Sequence, residues 1–550
     1  MKPFTRLFPL IVLLGACATA VGPAPAPTQP VQPPRAAPVV PARVTVMPER
    51  WWLLDVETDG VYGAGIDRAY REVLNAKQPR RSVVVAIIDS GIDIAHEDLD
   101  GMLWSNARET RNSRDDDGNS YIDDVSGWNF IGGRDGRHVD QDTYEVTRLY
   151  AACEALYGSR PRTPLPVERV TQQECTEITA DFSDRRDENG QMLAQVQQIE
   201  TVVNNAVRIL KEQLGTDSLT EARVRLLTPV RTDVRQAREI FLSLAQQGIT
   251  PDMVADEVKR IDDLLRYGLN PDFDPRPIVG DNYADPTERG YGNADVTGPD
   301  ASHGTGVAGI VAARRNNGIG VDGIAVNVQI MTIRAVPDGD ERDKDVANAI
   351  RYAVDQGAHI INMSFGKAYS PQKSVVDAAV KYADERGVLL VHAAGNEAKD
   401  LATENNYPNR YYADGGAARN WIEVGASNWG GRERLAADFS NYGAAQVDVF
   451  APGTDIRSTA PANSYESASG TSFAAPVVSG IAALLMVYYP ELTASDVRRI
   501  IVESAVPVRD QLVLVPGEEQ RQIRFGALSV TGAIVNAYRA VRMAEELSRR

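Results

Sequence analysis

The apolar run Val83-Val84-Val85-Ala86-Ile87-Ile88 ends abruptly in Asp89-Ser90-Gly91. So short a run, rich in β-branched residues and closed by a turn signal, predicts a strand buried on both faces with a carboxylate at its C-terminal edge. The pattern recurs at Val328 to Ala335, His359 to Met363 and Val388 to Ala393, with helical periodicity near 343–356 and 371–386 between these runs. Strands that alternate with helices predict a mostly parallel sheet covered on both faces, an α/β fold. Trp421 to Ser427 and Val447 to Ala451 read as two more strands, and 67–74, 490–505 and 532–541 as further helices. The longest apolar stretch, Val477 to Tyr489, predicts a buried helix.

The middle of the chain follows another period. Met192, Val196, Ile199, Val203, Ala206 and Leu210 recur at alternating steps of four and three, the seam of an amphipathic helix. Thr250-Pro251 opens a second helix with a cap and a first-turn proline, and Val254, Val258, Ile261 and Leu265 line its face. Residues 136–285 are therefore expected to form a helical insertion between the sheet-forming parts 49–135 and 286–550. Pro271, Pro275, Pro277 and Pro286 mark the return from it.

The N-terminus has neither pattern. Lys2 and Arg6 precede the apolar run Leu10 to Leu14, which fits an export signal over residues 1–16 and is too short to span a bilayer. It ends in Leu14-Gly15-Ala16-Cys17, which resembles the lipobox of bacterial lipoproteins and implies a lipid-anchored, extracytoplasmic protein acylated on Cys17. Ala18 after the cysteine implies the outer membrane if the cell is Gram-negative. Residues 17–48 are rich in Pro and Ala with no period that could bury a face, so they read as an extended tether.

At 550 residues the chain is long enough for more than one core. A formal charge of −17 argues against nucleic acid or anionic lipid as a substrate. The remaining cysteines, Cys153 and Cys175, both fall in the insertion, where a disulfide is the default outside the cytoplasm.

Candidate chemistry gathers at four places. Gly470-Thr471-Ser472-Phe473-Ala474-Ala475-Pro476 puts a hydroxyl at the positive end of the apolar helix. Asp89 lies at a strand end, and His303 opens a helix of small residues, Ser302-His303-Gly304-Thr305-Gly306. Asn396 follows a strand at Gly395, where its amide could donate to an oxyanion. His96 competes with His303 as a base, but it lies on the same connection as Asp89.

In this order the four residues resemble the subtilisin-like serine peptidases, over about 50–135 and 285–540. The resemblance implies a subtilisin-like three-layer fold and a serine endopeptidase with Asp89, His303 and Ser472 as triad and Asn396 as oxyanion donor. It implies peptide or protein substrates that pair with the edge Ser364-Phe365-Gly366, and a specificity pocket lined by Ala393, Ala394 and Gly395. Gly306 stands where the family usually has a second His, and Phe473 where it usually has Met. A non-catalytic peptide- or protein-binding lipoprotein on the same fold is the alternative.

Structural calcium is expected at two places. Asp98 matches an aspartate that binds calcium in many relatives, with Asn317 as its companion, although Arg314 and Arg315 stand beside that loop. Asp115, Asp117, Asn119 and Asp123 form a second oxygen-rich loop of closely spaced acids. The insertion, which leaves the chain between Asp89 and His303, is expected beside the cleft, where it could hold a protein partner.

Overall fold

The computed structural model describes residues 46–158, 170–430 and 432–549. The leader, Cys17 and nearly all of the tether lie outside the described residues. The strands, in chain order, are β1 (Val83–Asp89), β2 (Gly127–Asn129), β3 (Val328–Arg334), β4 (Ile360–Met363), β5 (Leu389–Ala393), β6 (Trp421–Ser427), β7 (Val449–Pro452), β8 (Ile456–Ala460), β9 (Ser464–Ala468), β10 (Val506–Pro507), β11 (Leu512–Leu514), β12 (Gln522–Arg524) and β13 (Ala533–Ile534). Nine form one sheet in the order β10-β13-β7-β6-β5-β4-β1-β3-β2, parallel throughout except for the β10–β13 pair.

The helices are α1 (Val56–Asp59), α2 (Ile66–Ala69), α3 (Glu145–Tyr157), α4 (Gln172–Leu214), α5 (Glu221–Arg225), α6 (Thr232–Gln246), α7 (Pro251–Asp263), α8 (Ser302–Ala312), α9 (Asp343–Asp355), α10 (Lys373–Glu385), α11 (Thr471–Tyr488), α12 (Ala494–Ser504) and α13 (Ala537–Ser548). Along β1, Val85 and Ile87 face a core shared with α8, α11, α12 and α13, while Ala86 and Ile88 face a second core with α9 and α10. Burial on both faces is why the strand reads as an unbroken apolar run. Because β1 lies between β3 and β4, the direction of winding reverses there, and the carboxyl ends of its strands open onto a crevice.

Two boundaries differ from the sequence reading. The helix expected over 532–541 is instead β13 followed by α13, which starts where the Asn536 side chain caps it by accepting from the Arg539 N–H. The helix expected from Pro490 begins at Ala494, set by the reciprocal cap between Thr493 and Asp496.

Helices α3 to α7 lie between β2 and α8. The 43-residue α4 packs against α3, α6 and α7 in three small apolar clusters, with Phe182, Val196 and Leu210 among their buried members. Ile199 departs from the expected seam and faces water at 37% exposure. A disulfide joins Cys153 of α3 to Cys175 of α4. Charged groups fasten these helices to the sheet-bearing part. Lys367 pairs with both Glu145 and Asp343, Arg342 with Asp142, and Arg276 with Asp281 and Asp345, all among buried side chains. Removing one partner from such a pair typically costs about 3–5 kcal/mol, because the other charge is left uncompensated.

Candidate active site

Asp89, at the carboxyl end of β1, is buried and accepts a hydrogen bond from His303 at 2.7 Å (Nδ1 to Oδ1). The Ser90 N–H donates to the same oxygen at 2.8 Å. His303 lies in the first turn of α8, which approaches β1 closely. A side chain at Gly304 would put its Cβ 2.1 Å from the Gly91 carbonyl oxygen, so only glycine lets the histidine reach the aspartate. His96 is buried elsewhere, its Nδ1 accepting from the Asp98 N–H and its Nε2 beside the Ser464 carbonyl. That removes it as a base.

Ser472 opens α11 and is 8% exposed. Its N–H is one of the donors at a helix start that have no partner within the helix. Asn396 is pinned from one side: its Oδ1 accepts from the Thr471 N–H at 2.8 Å and the Thr471 hydroxyl at 3.0 Å. This fixes which end of the amide is free. The Nδ2 lies 3.7 Å from the point where a Gly470 Cβ would sit, and the Ser472 Oγ lies 2.8 Å from that point. Thr471 also accepts from the Gly395 N–H at 3.1 Å, so one threonine ties the amide to the start of α11. Gly395 itself has φ of 102°, a conformation that favours glycine.

Edge and pocket are assembled beside the serine. Ser364 is buried and donates to the Ser472 carbonyl at 2.8 Å, Phe365 is half-buried and Gly366 is exposed. Ala393 offers its carbonyl inward, where Asn406 donates to it at 3.0 Å. Ala394 departs from the expectation. Its methyl is packed among Leu435, Val447 and Phe450, because alternate residues leaving β5 point to opposite faces, so it can line the pocket only with backbone.

Asn406 is the residue that the sequence did not announce. Its Oδ1 lies 2.3 Å from where a Gly366 Cβ would be, so the side chain spans from the peptide edge to the Ala393 wall. It also lines a cavity of about 160 Å³ with Glu404, Arg410 and Glu423.

Both oxygens of Asp98 accept amide donors, Asn317 Nδ2 at 2.6 Å and the Val321 N–H at 3.0 Å. An amide nitrogen is no ligand for calcium, so with the Asn317 Nδ2 rather than its Oδ1 turned to Asp98 this pair presents only the two Asp98 oxygens to a cation. Neither Arg314 nor Arg315 substitutes for one: their guanidinium groups pair with Asp100 and Asp67. In the second loop Asp115 and Asp117 converge with Glu109, with one oxygen of each within 4.8 Å of the others. Asp123 is turned away to the Asn112 and Ser113 N–H groups, and the Asn119 side chain is engaged by Tyr121 and Asp124. Each oxygen of these three carboxylates also accepts an N–H, and Arg108 pairs with Asp117, but the convergence of three carboxylates is the hard-oxygen chemistry that calcium takes.

A family model described as the subtilase family matches residues 80–527. Among curated proteins, a thermophilic serine proteinase of Bacillus sp. (strain AK1) is 40% identical over 238 residues, covering 43% of this chain and 53% of that protein. Thermitase of Thermoactinomyces vulgaris is 40% identical over 204 residues, covering 37% of this chain and 67% of its own length. The match thus spans about half the length of the first relative. A solved structure of a mutant of the protease domain of PatA is 29% identical, with a TM-score of 0.36 over 45% of this chain and 81% of that one.

Proposed function

The chain belongs to the subtilase family, and from that premise we propose that it is a serine endopeptidase hydrolysing peptide bonds through an acyl-enzyme. The observation that carries the reading is the Asp89–His303 hydrogen bond together with a serine at the start of α11, whose neighbour Phe473 stands with its ring centroid 5.7 Å from that of His303. With Nδ1–H donated to Asp89, the Nε2 of His303 is left to take the Ser472 proton as Oγ attacks the peptide carbonyl. The negative charge that develops on the carbonyl oxygen meets the Asn396 Nδ2 and the Ser472 N–H, already oriented by Thr471. His303 then returns the proton to the leaving amine, and water repeats the sequence on the ester. A fluorophosphonate probe tests this: wild type is expected to be labelled and Ser472→Ala not. An unlabelled wild type would favour a binding protein on a peptidase fold.

Structural calcium at Glu109, Asp115 and Asp117 belongs to the proposal, supported by the convergence of those carboxylates. So does a lipid anchor on Cys17 outside the cytoplasm, supported by the leader and Leu14-Gly15-Ala16-Cys17 alone. Incorporation of labelled fatty acid that survives Cys17→Ala would refute the anchor.

A further inference from the structure

Two backbone segments leave the site and meet again under the insertion. One starts at Ser364 beside the nucleophile, passes Phe365 and Gly366, and reaches Lys367. Neither backbone group of Gly366 has a partner among the described residues, which leaves it free to pair with an extended peptide. The other starts at Ala335, whose N–H donates to the Asp89 carbonyl at 3.1 Å, and runs through Gly339 to Glu341. At their far ends the Lys367 ammonium donates to the Glu341 carbonyl at 2.7 Å.

The insertion sits on that junction. Glu145 accepts from the same ammonium at 2.7 Å, and Arg148 donates to the carbonyls of Asp340 and Glu341 at 3.1 and 3.4 Å. Ahead of α3, the Asp142 N–H donates to the Asp338 carbonyl and the Asp338 N–H to the Asp140 carbonyl. Gly339 lies so close that its Cβ would be 2.2 Å from the Asp142 carbonyl oxygen. Lys367, Glu145, Arg148 and Glu341 are all buried, so the junction is a packed wall.

We infer that the insertion ends the acyl-side peptide groove after about three substrate residues, an inference that rests on the peptidase reading. An extended chain advances about 3.3 Å per residue, so the edge from Ser364 to Lys367, whose own backbone already pairs with Tyr407, offers about 10 Å. A substrate residue beyond the third meets Lys367 and the α3 side chains instead of an open edge. It turns into solvent without main-chain partners.

The test is a series of acetylated peptides with one leaving group and one residue at the scissile position, carrying one to six residues on the acyl side. For wild type, kcat/KM is expected to climb to the third residue and then stay within about twofold. A rise of about fivefold or more at the fourth or fifth residue, the gain from one or two further hydrogen bonds, would overturn the inference. In the double variant Glu145→Ala, Arg148→Ala, the fourth residue should begin to count. If that variant is folded and still flat, the wall is not the limit; if it does not fold, the wild-type series decides. A chain that cleaves no peptide and takes no fluorophosphonate label refutes the peptidase reading itself, whereas a labelled enzyme with steadily rising rates refutes only the wall.

Discussion

Ser364 donates to the carbonyl of Ser472 at 2.8 Å, and that carbonyl is the one that Pro476, four residues on and lacking an N–H, leaves without a helical donor. The relationship extends inward. Asn362 donates to Ser364 at 2.9 Å, and Ser479, about two turns beyond Ser472 along α11, donates to Asn362 at 2.8 Å. A buried polar chain therefore runs from the sheet into the nucleophile's turn and holds it.

Ser364→Ala should leave that buried carbonyl unpaired, at a cost of about 1–3 kcal/mol. Turnover is expected to fall about tenfold with KM nearly unchanged, because the loosened group is the nucleophile. In a Pro476→Ala background, residue 476 regains an N–H for the same carbonyl. The loss caused by Ser364→Ala should then shrink, which a double-mutant cycle on kcat and melting temperature would measure.

Asn406 should govern the residue before the scissile bond. It bonds to Ala393 and fills space next to Gly366, so Asn406→Gly is expected to deepen the pocket and shift preference toward large apolar side chains by about tenfold or more in kcat/KM. A cleavage profile on a peptide library checks this. An unchanged profile would place the pocket elsewhere.

For the acidic loop, chelation of calcium should lower the melting temperature of wild type, since an ion held only by the folded state stabilises it. Asp117→Asn should remove that sensitivity, because Asp117 is one of the three converging carboxylates. Equal melting curves with and without chelator would leave the loop as a hydrogen-bonded turn.

The places of the three proposed triad residues were legible because each sits where a local rule puts it: a carboxylate closing a buried strand, and a histidine and a serine opening helices whose small residues permit close approach. Asn396 was legible for the same reason, at the end of β5. What could not be read were partner choices across long separations. Nothing near Lys367 announces Glu145, 222 positions away, and an Asn in a polar loop gives no hint that it spans a pocket as Asn406 does. The acidic loop was legible in part, with Asp115 and Asp117 converging as expected. The acid run drew attention to Asp123, but the N–H groups of Asn112 and Ser113 take that carboxylate, and it is Glu109, outside the run, that converges with the other two.

Two departures from the family pattern prove to be neighbours. The Phe473 ring stands edge-on to His303 with centroids 5.7 Å apart, and a Cβ at Gly306 would lie 3.1 Å from that ring. The larger side chain at 473 thus occupies space opened by the glycine. Gly306→Ala should push the ring toward the base, costing about 1–3 kcal/mol as overpacking and about tenfold in kcat/KM. Adding Phe473→Met should restore most of both, and a double variant no better than the single one would show the pair to be independent.

Burial beside other acids pushes the Glu341 carboxyl up to about 8, from an ordinary value near 4.5, and its Oε1 has no hydrogen-bond partner. The sign of the consequence follows from which state holds the proton. Between pH 4.5 and 8 the folded protein keeps Glu341 protonated while the unfolded chain has released it. The contribution of this group is therefore whole below about pH 4.5 and is lost as pH rises through about 8, a decline of up to a few kcal/mol. Glu341→Gln, which copies the neutral form, should flatten the fall in melting temperature between pH 5 and 8 and raise stability at pH 8. Because Glu341 also lends its backbone carbonyl to the wall over the groove, the variant should keep the wild-type dependence on substrate length. Melting curves at four or five pH values decide it: a variant whose stability falls as steeply as wild type would mean that Glu341 is ionised in the folded protein.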